Sequence, residues 1–188
     1  MSSIILNIII HTEAALGWRE NTKKHLQLFF FAKIYTMDKL LKNGETTNIQ
    51  LREIISKLNL PVNAICWKDQ LYDMIPKPDG YIVNMENSVN CTGGTHWIAL
   101  FLTNERGEHK TYYFDSFGAP PPQDVLMFAK SWGPDLIHSC KQIQQINSNF
   151  CGQYCLDFIK TMAERPKVQT PIEAYTKFLN KYKTIRRI

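Results

Sequence analysis

A cysteine, a histidine, an aspartate and a glutamine, widely separated along the chain, could together perform nucleophilic catalysis. The four residues are His96, Asp115, Gln145 and Cys151. A thiol can attack an acyl carbon, an imidazole can activate the thiol, a carboxylate can orient the imidazole, and an amide can stabilise the resulting oxyanion. The residue types alone therefore predict a cysteine peptidase with Cys151 as its nucleophile.

The sequence around Cys151 predicts that this residue opens a helix. Residues at helical spacing follow it toward the core, and Pro166 ends the run; they are Tyr154, Cys155, Phe158, Ile159 and Met162. The N-terminus of a helix carries partial positive charge, and a neighbouring imidazolium adds to it. Both effects lower the pKa of a thiol, so we expect Cys151 to react as a thiolate. Gly152 and Trp97 are expected in the substrate cleft, Gly152 because it would let a substrate backbone approach closely.

A β-hairpin is expected to bring His96 and Asp115 together. The apolar run at 96–102 predicts a central strand covered on both faces, and residues 111–115 predict a second strand after a turn at 104–107.

The register of this hairpin decides whether the two side chains meet. Facing residues of an antiparallel pair have a constant sum of residue numbers, which is 211 if His96 faces Asp115 and centres the turn between Glu105 and Arg106. A sum of 213 would keep the two as diagonal neighbours on one face, whereas a slip of one residue would separate them. We predict the register of 211.

Other elements are predicted from caps and periodicity. Capping-box patterns at Thr47–Gln50 and Thr170–Glu173 each introduce a helix. The first helix buries Leu51, Ile54, Ile55 and Leu58, the last buries Ile172, Tyr175, Phe178 and Leu179, and a third between them buries Val125, Leu126, Phe128 and Ala129. Short strands are predicted at 80–84 and 139–146, and residues 61–78 have an irregular pattern.

Size and composition suit one catalytic domain. The chain has 188 residues, of which 44% are hydrophobic and 21% charged, as in ordinary globular proteins. We expect the peptidase domain at residues 37–188 and an N-terminal extension of unassigned role at 1–36. The apolar run Ile4–Ile10 is too short to span a bilayer, so no membrane partner is expected.

Cysteine content and charge bear on the compartment and on partners. Five cysteines without regular spacing argue against a disulfide framework and favour reduced thiols inside a cell. The net charge of +5 is spread along the chain and is densest at residues 181–187; we interpret this stretch as a solvated basic tail, with weak DNA binding as the alternative.

A zinc site is the alternative to catalysis for these residue types. Its ligands could come from Cys91, His96, His138, Cys140, Cys151 and Cys155. These residues include no paired Cys-x-x-Cys of the structural zinc type, so we expect no metal and no cofactor. Cys155 is expected to be a core residue.

Three motifs resemble those of the adenovirus protease (adenain) group and the related SUMO proteases. They are Gly94–Trp97, Phe114–Gly118 and Gln145–Gly152, and the resemblance covers roughly residues 60 to 165. It implies an α+β fold with a central mixed β-sheet flanked by helices, in a papain-like arrangement with the nucleophile at a helix N-terminus. It also implies His96 as general base, Asp115 as orienting acid, Gln145 as oxyanion residue and Cys151 as nucleophile.

The resemblance departs from both branches of the family. Asp115 stands where adenoviral enzymes have Glu, and Phe150 precedes Cys151 where SUMO proteases usually have Asp. The form of the motifs and the short chain are more similar to viral, virophage or large DNA-transposon members.

The resemblance implies an endopeptidase that cleaves after glycine in viral structural (capsid) precursors, and so would act in the host cytoplasm or nucleus and in the virion. Two alternatives stay open. One is an isopeptidase that removes SUMO or ubiquitin, and the other is a non-catalytic module that binds DNA or a capsid protein.

Overall fold

The computed structural model describes residues 46–90 and 95–182 of the chain. In order, the elements are α1 (Asn48–Leu58), β1 (Val62–Trp67), β2 (Asp79–Asn84), β3 (Trp97–Glu105), β4 (Glu108–Phe114), α2 (Gln123–Trp132), β5 (Asp135–Ile137), α3 (Cys151–Ala163) and α4 (Pro171–Lys181), with short 3₁₀ helices at Lys68–Asp73 and Ser88–Asn90. The predicted domain boundary between residues 36 and 37 lies outside the described residues.

The strands form one mixed sheet in sequence order, β1-β2-β3-β4-β5. Strands β2, β3 and β4 are antiparallel, and the outer strands β1 and β5 pair in parallel with their neighbours. Strand β3 is buried from Trp97 to Thr103, as expected of a central strand covered on both faces. Together with its helices the sheet confirms the predicted α+β fold.

Helices pack on both faces of the sheet. On one face, Val125 and Phe128 of α2 join a core that includes Tyr81, Ile98 and Leu100. On the other face, aromatic rings of the sheet contact those of α3 and α4; the closest pairs are Phe114 with Phe158, at 5.3 Å between centroids, and Phe114 with Phe178, at 4.9 Å. The helices are therefore held by apolar burial on each side of one sheet.

The preferred hairpin register was wrong, and the alternative register is the one observed. Ala99 pairs with Phe114 and Glu105 with Glu108, which gives a sum of 213. The cause is the turn: Arg106 (φ 55°) and Gly107 (φ 84°) both have positive φ, as the two central residues of a tight type I′ hairpin turn require. His96 and Asp115 consequently lie one residue beyond the strand ends, as diagonal neighbours.

Both predicted capping boxes are confirmed. The Thr47 side chain accepts from the Gln50 main-chain N–H and the Thr170 side chain accepts from that of Glu173, and each N3 side chain bonds back to its cap residue. Within the described part of the chain, no helix is long and apolar enough to cross a membrane.

Two burial predictions were wrong. Leu126 of α2 and Ile172 of α4 were expected in the core but are exposed. The buried side chains of α2 are Val125, Phe128 and Ala129, a narrow stripe that Leu126 leaves by about one third of a turn.

Two strand predictions also need correction. Residues 61–78 contain β1 and a 3₁₀ helix rather than irregular chain, and β1 was missed because its half-buried side chains give no clear period of two. Residues 139–146 are not a strand; the last strand, β5, comes earlier, at Asp135–Ile137. The main-chain N–H groups of Ile143 and Gln144 instead bond to the carbonyl of Ser116.

Candidate active site

His96 and Asp115 are in direct contact. The ring nitrogen Nε2 of His96 lies 3.1 Å from Oδ2 of Asp115, a carboxylate that is only 3% exposed. The other oxygen, Oδ1, accepts a 2.6 Å hydrogen bond from the main-chain N–H of Phe117. The carboxylate is thus held through both oxygens, and it fixes the orientation of the imidazole.

The imidazole also contacts the thiol of Cys151. The side chains of His96 and Cys151 are hydrogen-bonded to each other. Because Nε2 faces Asp115, Nδ1 is the ring nitrogen left for the thiol. The ring of Phe117 packs against the imidazole at 4.8 Å between centroids, which limits the access of water to it. The structure therefore brings His96, Asp115 and Cys151 together.

The pKa values of the two central groups move in opposite directions. Burial lowers the pKa of His96, but the hydrogen bonds and charges of Asp115 and Cys151 outweigh it and raise the pKa to about 9. Burial raises the pKa of Cys151, but hydrogen bonds from His96 and from the main chain of Trp97, with the His96 charge, lower it overall. The arrangement favours the charged form of each group, the thiolate of Cys151 and the imidazolium of His96.

The helix that begins at Cys151 has no side-chain cap at its N-terminus. Helices α1 and α4 both begin with a threonine whose side chain caps them, but the residue before α3, Phe150, makes no capping hydrogen bond. The first turn of α3 has no acidic residue either. Main-chain donors at this end can therefore bind the thiolate and a developing oxyanion.

Trp97 fixes α3 to the sheet. Its indole N–H donates to the carbonyl of Thr46 at 2.8 Å, its own carbonyl accepts from the thiol of Cys155 at 3.4 Å, and its main-chain N–H bonds to Cys151. Its side chain is buried and 9% exposed. The sequence placed Trp97 in the cleft; its contacts are those of an anchor between β3, α3 and the segment before α1.

Gly152 is required by packing. A Cβ at this position would lie 2.7 Å from the Cβ of Thr46, too close for any side chain. From the sequence we expected Gly152 to make room for a substrate backbone. In the structure, the group packed against Gly152 is the buried side chain of Thr46.

Of two adjacent glutamines, only Gln145 has a free side-chain amide. Gln144 is buried and its amide donates to the carbonyl of Ser148 at 2.6 Å. Gln145 is exposed, and within residues 46–90 and 95–182 its side chain has no hydrogen-bond partner. Its main-chain carbonyl accepts from the N–H and the hydroxyl of Ser148. Gln145 is thus the glutamine whose amide remains available as a donor.

Sequence reasoning missed four residues that shape the site: Thr46, Ser116, Phe117 and Gln144. Ser116 and Phe117 follow Asp115 directly and Gln144 precedes Gln145, so proximity to the predicted residues was an available signal. For Thr46 there was none, since its contacts with Trp97 and Gly152 join distant parts of the chain.

Among the residues that the structure describes, no three His, Cys, Asp or Glu side chains cluster as metal ligands would. One residue of the zinc set considered above, Cys91, lies outside that part of the chain.

The chain is similar to two crystal structures of a viral protease. It resembles the ASFV pS273R protease at 14% identity and a TM-score of 0.48, over 76% of this chain and 68% of that one. The selenomethionine form of the same protease gives 15% identity and a TM-score of 0.44, over 76% and 69%. No family model and no curated protein matches the chain. Both TM-scores are below 0.5, so we infer what the site can do chemically from its own geometry.

Proposed function

We propose that this protein is a cysteine-type endopeptidase. The observation that carries the proposal is the position of His96 between a buried carboxylate, Asp115, and the thiol of Cys151 at the start of α3. The lowered pKa of Cys151 and the raised pKa of His96 provide a nucleophile and a proton donor in contact with each other.

In the proposed reaction the Cys151 thiolate attacks the carbonyl carbon of the scissile amide and a sulfur–carbon bond forms. The amide of Gln145 and the main-chain N–H of Cys151 stabilise the oxyanion. The His96 imidazolium then donates its proton to the leaving nitrogen, the carbon–nitrogen bond breaks, and a thioester remains. Neutral His96 next takes a proton from water as the water attacks the thioester carbon. The sulfur–carbon bond then breaks, the carboxylic acid product leaves, and the Cys151 thiolate and His96 imidazolium are restored.

For the substrate, we propose viral structural precursors cleaved after glycine. The support is the resemblance of the motifs around His96, Asp115 and Cys151 to the adenain group. A panel of glycine-glycine reporter peptides, capsid-precursor peptides and SUMO or ubiquitin conjugates would test it. Preference for the conjugates would replace this substrate class with the isopeptidase alternative.

The test of the reaction compares two cysteines. Cys151 and the exposed Cys140 are alkylated with iodoacetamide at pH 6.5, and the modified residues are identified by mass spectrometry. We expect Cys151 to react faster despite its lower exposure, because it is the thiol paired with an imidazolium.

Reporter cleavage provides the second arm of this test. The Cys151→Ala variant should lose cleavage, and the matched Cys140→Ala variant should retain it. Equal alkylation rates together with unchanged cleavage by Cys151→Ala would refute the proposal, and DNA or capsid binding by the inactive chain would then favour the non-catalytic alternative.

A further inference from the structure

The turn that follows Asp115 is packed tightly against the segment that leads to Gln145. Gly118 has a positive φ of 69°, and a Cβ there would lie 2.5 Å from the carbonyl oxygen of Cys140. The N–H of Gly118 bonds back to the carbonyl of Asp115 at 3.0 Å, which closes the turn. The end of β4 and the start of the Gln145 loop are thus in backbone contact.

Ser116 makes three hydrogen bonds across this contact, two of them to Gln144. The Ser116 carbonyl accepts from the N–H groups of Ile143, at 2.9 Å, and Gln144, at 3.0 Å. The Ser116 hydroxyl donates to Oε1 of Gln144 at 2.5 Å. Both side chains are buried, at 0% and 1% exposure, so these bonds form away from competing water.

The side chain of Gln144 also bonds to the loop that contains Gln145. Its Nε2 donates to the carbonyl of Ser148 at 2.6 Å, across the turn in which Ser148 bonds to the carbonyl of Gln145. On the other side, Nε2 of Gln142 donates to the carbonyl of Gln144 at 3.0 Å. Gln145 therefore lies in a short turn spanned by the Gln144 side chain.

The segment that leads to Gln145 is also fixed at its beginning, by the charged side chain of Lys141. The Lys141 ammonium donates to the carbonyls of Leu179 and Tyr182 at the end of α4. A cation is favourable there because the carbonyls at a helix C-terminus carry partial negative charge. The segment is thus anchored to α4 as well as to the Asp115 turn.

We propose that Ser116 and Gln144 are positioning residues that hold the Gln145 loop in register with Asp115. Ser116 follows the orienting acid and Gln144 precedes the oxyanion donor, so their hydrogen bonds join the two catalytic groups through immediate neighbours. This inference rests on the proposed function, in which Gln145 stabilises the oxyanion. The hydrogen bonds of the Cys151 thiol are to His96 and to the main chain of Trp97 and Gly152, so Ser116 and Gln144 would act through Gln145.

A double-mutant cycle on reporter cleavage tests the coupling. Gln145→Ala should lower kcat by about 10²- to 10³-fold, as loss of one oxyanion donor does. Gln144→Ala and Ser116→Ala should each lower kcat by roughly 10- to 100-fold through misplacement of that donor, with little change in KM. In the Gln144→Ala background, Gln145→Ala should cost much less than in the wild type.

Further variants separate positioning from general damage. Gln144→Met keeps the approximate volume of the side chain but loses both hydrogen bonds, so its kcat should match that of Gln144→Ala rather than that of the wild type. The matched control is Ser131→Ala, which removes a hydroxyl bonded to the carbonyl of Phe128 in α2 and should leave kcat unchanged. Alkylation of Cys151 should proceed at the wild-type rate in every one of these variants.

Hydrogen exchange supplies a readout that does not need activity. The amides of residues 145–150 should exchange faster in Gln144→Ala, while those of α2 stay as in the wild type. Unchanged exchange in this loop, or an equal cost of Gln145→Ala in both backgrounds, would overturn the positioning role. A wild type that neither cleaves reporters nor alkylates rapidly at Cys151 would refute the proposed function instead, and the exchange result would still decide whether Gln144 holds the loop.

Discussion

Two cysteines one turn apart on α3 have opposite acidities. The pKa of Cys151 is lowered, whereas burial, with the charges of Cys151 and Asp115, raises the pKa of Cys155 well above its usual value. Both sulfurs bond to the peptide groups of Trp97, but Cys151 accepts from its N–H and Cys155 donates to its carbonyl. The same residue type on the same helix thus ionises more readily than usual in one turn and less readily than usual in the next.

The difference shows what activates a thiol in this fold. Burial by itself works against ionisation, as at Cys66, where burial and then the charge of Asp69 raise the pKa to about 12. Cys151 is also largely buried, yet its pKa falls, because it alone of the three has a hydrogen-bonded imidazolium. A helix start and a partner charge together distinguish the more acidic thiol of Cys151 from the buried thiols of Cys66 and Cys155.

The largest expected effect on cleavage comes from removing the thiol of Cys151, the proposed nucleophile. Cys151→Ala should lower kcat for reporter cleavage by roughly 10⁵- to 10⁶-fold, since residues that act as one catalytic unit fail together. The measurement is kcat with the fold checked by circular dichroism. Residual cleavage near the wild-type rate would assign the nucleophile to another residue.

A smaller effect is expected when the charge behind His96 is removed. Asp115→Asn keeps an acceptor for the Phe117 N–H but loses the negative charge, so the pKa of His96 should fall and that of Cys151 should rise. We expect kcat/KM to fall about 10²-fold. Iodoacetamide alkylation of Cys151 at pH 6.5 should slow in parallel, and an unchanged alkylation rate would mean that Asp115 does not act through the imidazole.

The pH dependence of cleavage and of alkylation should distinguish the Cys151 thiolate from the His96 imidazolium that acts as the acid. Cleavage needs protonated His96, whose pKa is raised to about 9, so kcat/KM should fall by up to tenfold per pH unit above pH 9. Alkylation needs only the thiolate and should not fall there. Toward acid both rates should decrease once the pH falls below the lowered pKa of Cys151 and the thiol forms. Parallel loss of alkylation above pH 9 would contradict this assignment.

The smallest effect on cleavage is expected at the second cysteine. Cys155→Ala removes a fully buried sulfur and its hydrogen bond to Trp97, so the free energy of unfolding should fall by about 1 to 2 kcal/mol. Reporter cleavage should stay close to that of the wild type. Urea denaturation measures the first and kcat/KM the second; a loss of cleavage as large as that of Cys151→Ala would show that the two thiols are not functionally distinct.

Residue types and periodicity were sufficient to predict much of the site. The helix at Cys151 and the hairpin that joins His96 to Asp115 both follow from local patterns, because apolar spacing and turn residues act over short stretches of chain. The register of the hairpin was harder to predict. Gly107 favours a two-residue turn with Arg106, and that turn, rather than the alignment of His96 with Asp115, sets the pairing.

The remainder depends on contacts between distant segments. No pattern near Gly152 indicates that Thr46 lies against it, and no pattern near Gln144 indicates a bond to Ser116. The incorrect strand at 139–146 has the same origin. That segment places Ile143 and Ile146 among polar residues, and the main-chain donors of Ile143 and Gln144 bond to Ser116 in the turn after Asp115 rather than to a strand.

The ammonium of Lys141 ties the far end of the chain's last described helix to the segment that enters the Gln145 loop. Shortening the protein by the final turn of α4 would strip that ammonium of its carbonyl acceptors. Trimmed versions of this chain can therefore be compromised in turnover even when every residue from 95 to 163 is retained.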